Sequence, residues 1–496
     1  MATFNFEELS DHSLATEFKR RYGTTCFIVV NSTPYYWTGF YWNETDAKHQ
    51  MSMYLSEKLY ADLDMEATVE ILNTVELLKA KKNLISKLRN CKAKEQIIKE
   101  IICVMNDNTI QMDNKPDLFV FHNAVFDLKT GEQIQPNQQD YLSQSAEYQY
   151  RKPTAEETEE LTNVICQILP VEEERTYYLQ LMATGLGGHL LDKFIMANNS
   201  GGNGKNVIHD LIRTTLGNYS YKGSSITLQE QTQAGARPEI ASMNKKRFIL
   251  FSEPDAKKPL CGAVIKELTG DRTINARMLY SNEMDTTLVG TYVMMCNHRP
   301  KFDEINDAIE RRLVDFPFRA SFMERSKIEE LSKFNHGKEM EFIHEKNPYY
   351  NDYPFREKIK YAMFHILLDH YKMLPVPMPA TVRERSRQYL QGCDEFYYWF
   401  QENNEYVEAE PRCFVSITGL FNDVKKADFY EHLSRDQKRA FTKRGMIDTI
   451  KENIYLKRHY CEKFQPIIRG QQLCLRNVIM DYRHKKLDMN NEFEYL

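Results

Sequence analysis

Continuous apolar runs bounded by polar loops mark one set of elements in this chain. Phe194-Ile-Met-Ala197, Phe248-Ile-Leu-Phe251 and Tyr292-Val-Met-Met-Cys296 are short and apolar throughout, which predicts buried strands. Alternating positions mark a second set. Leu118-Phe-Val-Phe121 and Ala124–Leu128 alternate like strands, and Lys129-Thr-Gly131 reads as a turn into a third. Tyr35–Trp42 reads as two strand edges around Gly39, an aromatic sheet core in preference to a base-stacking platform. Helical spacing marks a third set: Met65–Met105, a pair within Ala155–Leu191 broken at Pro170 and Gly185, Val207–Leu216 closed by Gly217, and a mostly helical stretch to Tyr371. Pro375, Pro377 and Pro379 form a stiff boundary. Beyond it, two amphipathic helices are predicted, near Ile417–Lys426 and Asp436–Glu452, followed by strands near Gln465–Arg469 and Gln472–Met480.

Length and charge narrow this picture. A chain of 496 residues has room for roughly two to four domains. A net charge of −5 carries no global nucleic-acid signature, so such binding must come from local patches. The run Lys79, Lys81, Lys82, Lys87, Arg89, Lys92, Lys94 is one such patch, read as a solvated helix face or a contact to a phosphate backbone. The ten cysteines lack C-x-x-C spacing and read as reduced thiols of an intracellular protein. His459 and Cys461 have no second ligand pair, so no zinc site is expected. No apolar run is long enough to span a membrane.

Chemistry concentrates after the first buried strand. Asn199-Ser-Gly-Gly-Asn-Gly-Lys-Asn206 is a Gly-rich loop with a lysine at the start of a helix, the outline of a phosphate-binding loop. Ser200, Gly201, Gly202, Asn203, Gly204, Lys205, Asn206 and Val207 are the expected nucleotide contacts. Two positions depart from the strict pattern. Asn199 stands where glycine is usual, and Asn206 where a metal-binding hydroxyl is usual, although an amide oxygen is also a hard ligand. The second strand ends in Ser252-Glu253, delivering a carboxylate to the same strand ends as a water-activating base that assists Mg²⁺. The third strand ends in Asn297, an amide able to hold the attacking water or touch a γ-phosphate. Arg311-Arg312 follow, with one of them a candidate arginine finger onto a neighbouring subunit and a surface ion pair with Asp307 or Glu310 the plainer reading.

The compact order Lys205, Glu253, Asn297, Arg311-Arg312 resembles superfamily 3 helicases, AAA+-like replicative ATPases. Ser252-Glu-Pro254, Lys266–Asp271, Ala276-Arg277, Cys296-Asn-His-Arg-Pro300, Arg311–Phe318 and the segment Pro375–Phe400 are similar to the poxvirus-type primase–helicase family of large DNA viruses, phages and plasmids, over roughly residues 115–496. The resemblance implies an α/β protein: a mixed α+β N-terminal pre-helicase domain (1–150), a helical collar (151–190), an AAA+-like P-loop ATPase core (191–380) and a C-terminal winged helix (381–496). It implies ATP and Mg²⁺, the latter held by Asn206 and Glu253. Glu253 is then the base, Asn297 the sensor, and Arg312, ahead of Arg311, the finger acting across subunits.

It further implies a homo-oligomeric, hexameric ring that translocates on single-stranded DNA and unwinds forked duplex in viral replication, inside the host cell, with a primase and a polymerase as partners. Expected DNA contacts are Lys266, Arg272 and Arg277 near a hairpin joining Thr273–Tyr280 to Thr287–Met295, whose tip Ser281–Asp285 is acidic. Lys438, Arg439, Lys443 and Arg444 are expected on a recognition helix. No primase-like carboxylate pair is evident in residues 1–115, so either a helicase-only member or a piece of a longer protein is expected. The rival reading is a nucleotide-binding, DNA-bound assembly or initiator module with weak ATPase activity, motivated by Asn206, Ser252 and the acidic tip.

Overall fold

The computed structural model describes residues 4–6, 9–71, 73–199, 201–230, 237–276, 284–334, 341–407, 413–431, 435–468 and 471–485. Helix α1 (Asp11–Tyr22) starts at Ser10, whose hydroxyl accepts the Ser13 amide. An antiparallel sheet of β1 (Phe27–Val30), β2 (Thr33–Trp37) and β3 (Trp42–Asn43) follows, then α2 (Ala47–Tyr54), α3 (Tyr60–Glu70), α4 (Thr74–Leu88) and α5 (Cys91–Met105). Leu14, Phe18, Phe27, Met51, Leu84 and Ile101 join these helices to the sheet in one core. Trp42 is fully buried and meets the Trp37 ring at 5.2 Å, so the aromatic segment is sheet core. Much of the basic run is spent internally. Lys81 pairs with Asp64, Lys87 with Asp11, and Arg89 lies over the Tyr60 ring.

Strands β4 (Leu118–Val120), β5 (Val125–Asp127) and β6 (Glu132–Ile134) form a meander, with Gly131 at φ 76° in the expected turn. Helices α6 (Ala155–Ile168) and α7 (Glu172–Ala183) flank Pro170. The central block runs β7 (Phe194–Asn198), α8 (Lys205–Leu216), β8 (Ser220–Gly223), α9 (Pro238–Ser242), β9 (Phe248–Phe251), α10 (Gly262–Gly270), β10 (Thr273–Ala276), β11 (Met284–Thr287), β12 (Thr291–Cys296), α11 (Asp307–Arg312) and β13 (Leu313–Pro317). Five strands make a parallel sheet in the order β13-β7-β12-β9-β8. Both of its faces are covered, which is why its strands are mostly apolar, with Asp315 on β13 and the polar edge strand β8 as departures. Ile195, Ala197, Leu250, Val293 and Phe316 face one layer, whereas Met196, Ile249, Phe251, Tyr292 and Met294 face the other. Phe119, Phe121 and Phe126 of the meander belong to the first layer, against Tyr219 and Phe364.

One expectation changes here. The hairpin from β10 returns on β11, and β12 begins only after Leu288-Val-Gly290. The tip residues 281–283 and Arg277 lie outside the described residues.

After β14 (Ser321–Met323), α12 (Arg325–Phe334) and β15 (Ile343–Glu345), the long α13 (Tyr353–Lys372) packs on α8. Beyond the proline-rich boundary come α14 (Ala380–Cys393), α15 (Glu395–Asn403), β16 (Asn404–Tyr406), β17 (Phe414–Ser416), α16 (Ile417–Val424), α17 (Asp428–Glu431), α18 (Arg435–Ala440) and α19 (Lys443–Glu452). The strands β18 (Tyr460–Phe464), β19 (Ile467–Ile468), β20 (Gln471–Gln472), β21 (Leu475–Met480) and β22 (Tyr482–His484) close the described chain.

The single helix expected over Asp436–Glu452 is two. Thr442 caps α19 by accepting the Gly445 amide, and that cap ends the preceding helix. Lys438 and Arg439 therefore lie on α18, and Lys443 and Arg444 on α19. An antiparallel sheet β17-β21-β18 packs beside α16 and α19 around Phe400, Leu420, Met446 and Ile479. Among the described residues, no helix is long and apolar enough to cross a membrane.

Candidate active site

Parallel strands put their C-terminal ends at one edge, and loops leaving that edge share a crevice. Three adjacent strands do so here. The Gly-rich loop leaves β7, Ser252-Glu253 leaves β9, and Asn297 leaves β12 between them. A cleft of about 420 Å³ opens there, lined by Gly201–Val207, Lys222, Ser252, Glu253, Met295 and Asn297, and closed on its other side by Val164, Ile168, Phe322 and Tyr350. Ser200 lies outside the described residues.

The loop needs its glycines. Gly202 and Gly204 both sit at φ 79°, in the left-handed region. A Cβ on Gly204 would stand 2.7 Å from Ile168 Cγ1, and one on Gly202 would stand 3.2 Å from the Phe322 carbonyl. The Phe322 amide donates to the Gly202 carbonyl at 2.6 Å, tying the loop to β14. Asn199 donates its side-chain amide to the Phe318 carbonyl, a brace glycine could not supply.

Lys205 opens α8 and is 5% exposed. Its Nζ donates to the carbonyls of Asn199 at 2.6 Å and Cys296 at 2.7 Å, and to Asn297 Oδ1 at 3.1 Å. Burial holds its ammonium below the usual lysine range, with Cys296 and Glu253 opposing that shift. Asn297 in turn donates its backbone amide to Glu253 Oε1 at 2.9 Å and its Nδ2 to Glu253 Oε2 at 3.0 Å. Lys205, Asn297 and Glu253 therefore form one hydrogen-bonded chain across three strand ends. Asn206 is exposed to the cleft, on the same lining as Ser252 and Glu253.

Behind the loop, His209 is fully buried one turn after Lys205. Its Nδ1 donates to the Lys205 carbonyl at 2.7 Å, so Nε2 accepts from the Tyr178 hydroxyl. Burial holds His209 down at about 4, the Lys205 carbonyl opposing and the Lys205 charge assisting that shift.

Arg311 and Arg312 fall elsewhere. They precede β13, whose Leu313 pairs with Phe194, so they stand at the opposite end of the strands, about 15 Å along a five-residue strand. Both pair with Asp192, and Asp307 is instead bonded to Lys457. Arg312 is 9% exposed and also donates to Thr269 Oγ1 at 2.9 Å, whereas the Arg311 side chain is 62% exposed. Neither reaches the cleft of its own chain. Lys266 pairs with Glu304, Arg272 is exposed beside β10, Lys438 donates to the Glu431 carbonyl, and Lys443 donates to Thr418. Among the described residues no cluster of His, Cys, Asp and Glu is arranged to hold a metal.

Sequence reasoning missed several cleft residues. Lys222 sits near the C-terminal end of the edge strand β8, and the strand-end rule could have found it. Lys346, Asn347, Tyr350 and Asn351 come from a turn about 140 positions beyond Lys205, and no local pattern announces them.

Two family models match the chain: the family described as "D5 N terminal like" over residues 15–167, and a family of unknown function, DUF5906, over residues 197–312. "Putative helicase L207/L206" of Acanthamoeba polyphaga mimivirus is 28% identical over 447 residues, covering 84% of this chain and 46% of that one. "Primase D5" of Fowlpox virus is 27% identical over 302 residues, covering 58% and 37%. These matches support the poxvirus-type primase–helicase family for this chain. The D5 N terminal like match starts at residue 15, well ahead of the residues near 115 where the motif resemblance begins. The chain spans less than half the length of these curated relatives. Among solved structures, the apo C-terminal region of NrS-1 aligns with 78% of this chain and 90% of that one, at a TM-score of 0.38 and 13% identity.

Proposed function

We propose that this protein is an ATP-hydrolysing DNA helicase of superfamily 3, the motor of a viral replication primase–helicase. The observation that carries the reading is the hydrogen-bonded chain from Lys205 through Asn297 to Glu253, at the mouth of a loop whose Gly202 and Gly204 hold left-handed backbone. The strand order β13-β7-β12-β9-β8, with the loop on its second strand and the acid on its fourth, supports an AAA+-like core. The names of the viral relatives, a helicase and a primase, support replication as the setting, at an intracellular site of viral DNA synthesis.

Triphosphate enters along the amides of Gly201–Asn206 at the start of α8, where backbone donors and the helix dipole favour anions. Lys205 Nζ then exchanges protein acceptors for phosphate oxygens. Glu253 orients a water toward the γ-phosphorus and takes its proton as the bond to the leaving oxygen breaks. Asn297 holds the acid until phosphate draws Lys205 away. The cleft-lining oxygens of Asn206, Ser252 and Glu253 fit a hard divalent ion held mainly by the phosphates, and Mg²⁺ there would neutralise charge on the leaving diphosphate. Charge on the transferring group calls for a further cation, and we assign it to a neighbouring copy in a ring, typically hexameric. Arg311, with its greater exposure, fits that reach better than Arg312. The sheet β17-β21-β18 with α16 and α19 supports a winged helix carrying Lys438, Arg439, Lys443 and Arg444 toward DNA. A primase domain or protein and a polymerase are the further partners.

The test is phosphate release with single-stranded DNA present, read together with oligomeric mass. DNA-stimulated turnover by a ring supports the motor. A ring that binds ATP without turnover supports the second reading, an assembly module, which the engagement of both Glu253 oxygens by Asn297 favours.

A further inference from the structure

A second cleft, of about 330 Å³, lies where α11, α14 and the segment after α19 meet. It is close to the start of β13, at the end of the sheet opposite the nucleotide cleft, and Leu313 forms part of its wall. Three arginines from two parts of the chain line it: Arg383 and Arg387 on α14, and Arg458 after Tyr455. Among the described residues the only acid on its lining is Glu310, which forms no ion pair with any of them. The arginines are unspent. Arg383 gives one hydrogen bond to the Met378 carbonyl at 3.2 Å, Arg458 gives one to His459 Nε2 at 2.9 Å, and Arg387 has neither a hydrogen bond nor an ion pair among the described residues. Tyr455 is 5% exposed, and its buried hydroxyl has no hydrogen-bond partner among the described residues. A phenol buried without a partner costs free energy unless a ligand accepts its proton. Nearby Lys457–Asp307 and Lys301–Glu395 pairs pin the flanking elements together.

We propose that this cleft binds the phosphate backbone of a single nucleic-acid strand. Guanidinium groups recognise phosphodiesters through forked donors, and three of them against one carboxylate leave the cleft positive. The space is several times what one phosphate ion needs, and Leu313 and Ile454 offer apolar wall to a sugar or base. The cleft is separate from the nucleotide site, so the assignment stands whether or not ATP is hydrolysed.

The experiment titrates the full chain with a labelled oligodeoxythymidylate, and separately with inorganic pyrophosphate, over a salt series. The Arg383→Gln, Arg387→Gln double variant is expected to lose about tenfold in oligonucleotide affinity. Its slope of log affinity against log salt should fall by about 1.4, two phosphate contacts' worth for a single strand. Glu310→Gln is expected to bind the oligonucleotide a few-fold tighter, a gain that damage to the fold cannot produce. Binding of a fluorescent ATP analogue is expected to be unchanged in both. Unchanged oligonucleotide affinity in the double variant and in Glu310→Gln overturns the proposal. An equal loss of pyrophosphate and oligonucleotide binding in the double variant also overturns it, assigning the cleft to free phosphate.

Discussion

Asn297 is the residue through which the cleft is wired: it accepts from Lys205 and donates twice to Glu253. Glu253→Gln should cut phosphate release at least a hundredfold while leaving nucleotide binding within a few-fold, because the amide keeps the shape and loses the base. Asn297→Ala should free Glu253 and Lys205 together and lower turnover; single-turnover phosphate release beside equilibrium binding separates the two effects. His209 makes a pH prediction. Its folded value is about 4 against an ordinary 6.5, so between those limits the unfolded chain binds the extra proton. Stability from this group is therefore complete above pH 6.5 and is lost as pH falls toward 4, by about 3 kcal/mol. Denaturant unfolding of His209→Gln at several pH values should show a correspondingly flatter profile. The placement of Lys205 and Glu253 at one edge of the sheet was legible in the sequence because loop and strand-end signals are local. The pairing of Arg311 and Arg312 with Asp192 was not, because it depends on where β7 begins relative to β13.

Elements carry the next set of effects. Helix α8 can begin where it does because Gly204 turns left-handed against Ile168 of α6. Gly204→Ala should cost about 1–3 kcal/mol through strain and contact with Ile168. It should weaken nucleotide binding more than it lowers the melting temperature, since loop and phosphate amides move together. Helix α14 is held to the sheet by Asp315, a fully buried carboxylate on β13 that pairs with Arg299 and Arg385, while Ser386 accepts the Asp315 amide at 2.9 Å. Burial pushes Asp315 upward, and the two arginines oppose that shift. Asp315→Asn leaves two guanidinium groups facing each other, so a loss of about 3 kcal/mol in denaturant unfolding is expected. The break between α18 and α19 was hidden in the sequence because the amphipathic pattern runs on through Phe441-Thr442. Only the cap at Thr442 divides it.

At the scale of the whole molecule, the cleft beside Lys205 and the Arg311 end of the sheet point away from each other, so one chain cannot bring both to one ligand. If copies assemble in a ring, Arg311→Ala and Glu253→Gln chains, each inactive alone, should restore part of the phosphate release when mixed, because some interfaces then carry an intact acid and an intact arginine. A mixing series with mass measured on the same samples checks this; strictly additive, zero activity in assembled mixtures removes the proposal of action across subunits.

Local order along the chain determined the buried strands, the Gly-rich loop, the acid and amide at two strand ends, and the helices on either side of Pro170. In each case the physical cause acts within a few residues: apolar runs, turn glycines, caps. Tertiary structure alone decided that β12 lies between β7 and β9, which brings Asn297 against both Lys205 and Glu253. It likewise decided that Phe119, Phe121 and Phe126 fill the layer beneath α8, and that Tyr350 and Lys346 line the cleft. Those contacts join residues far apart in the chain, and their energy comes from surfaces that meet only when the sheet is assembled.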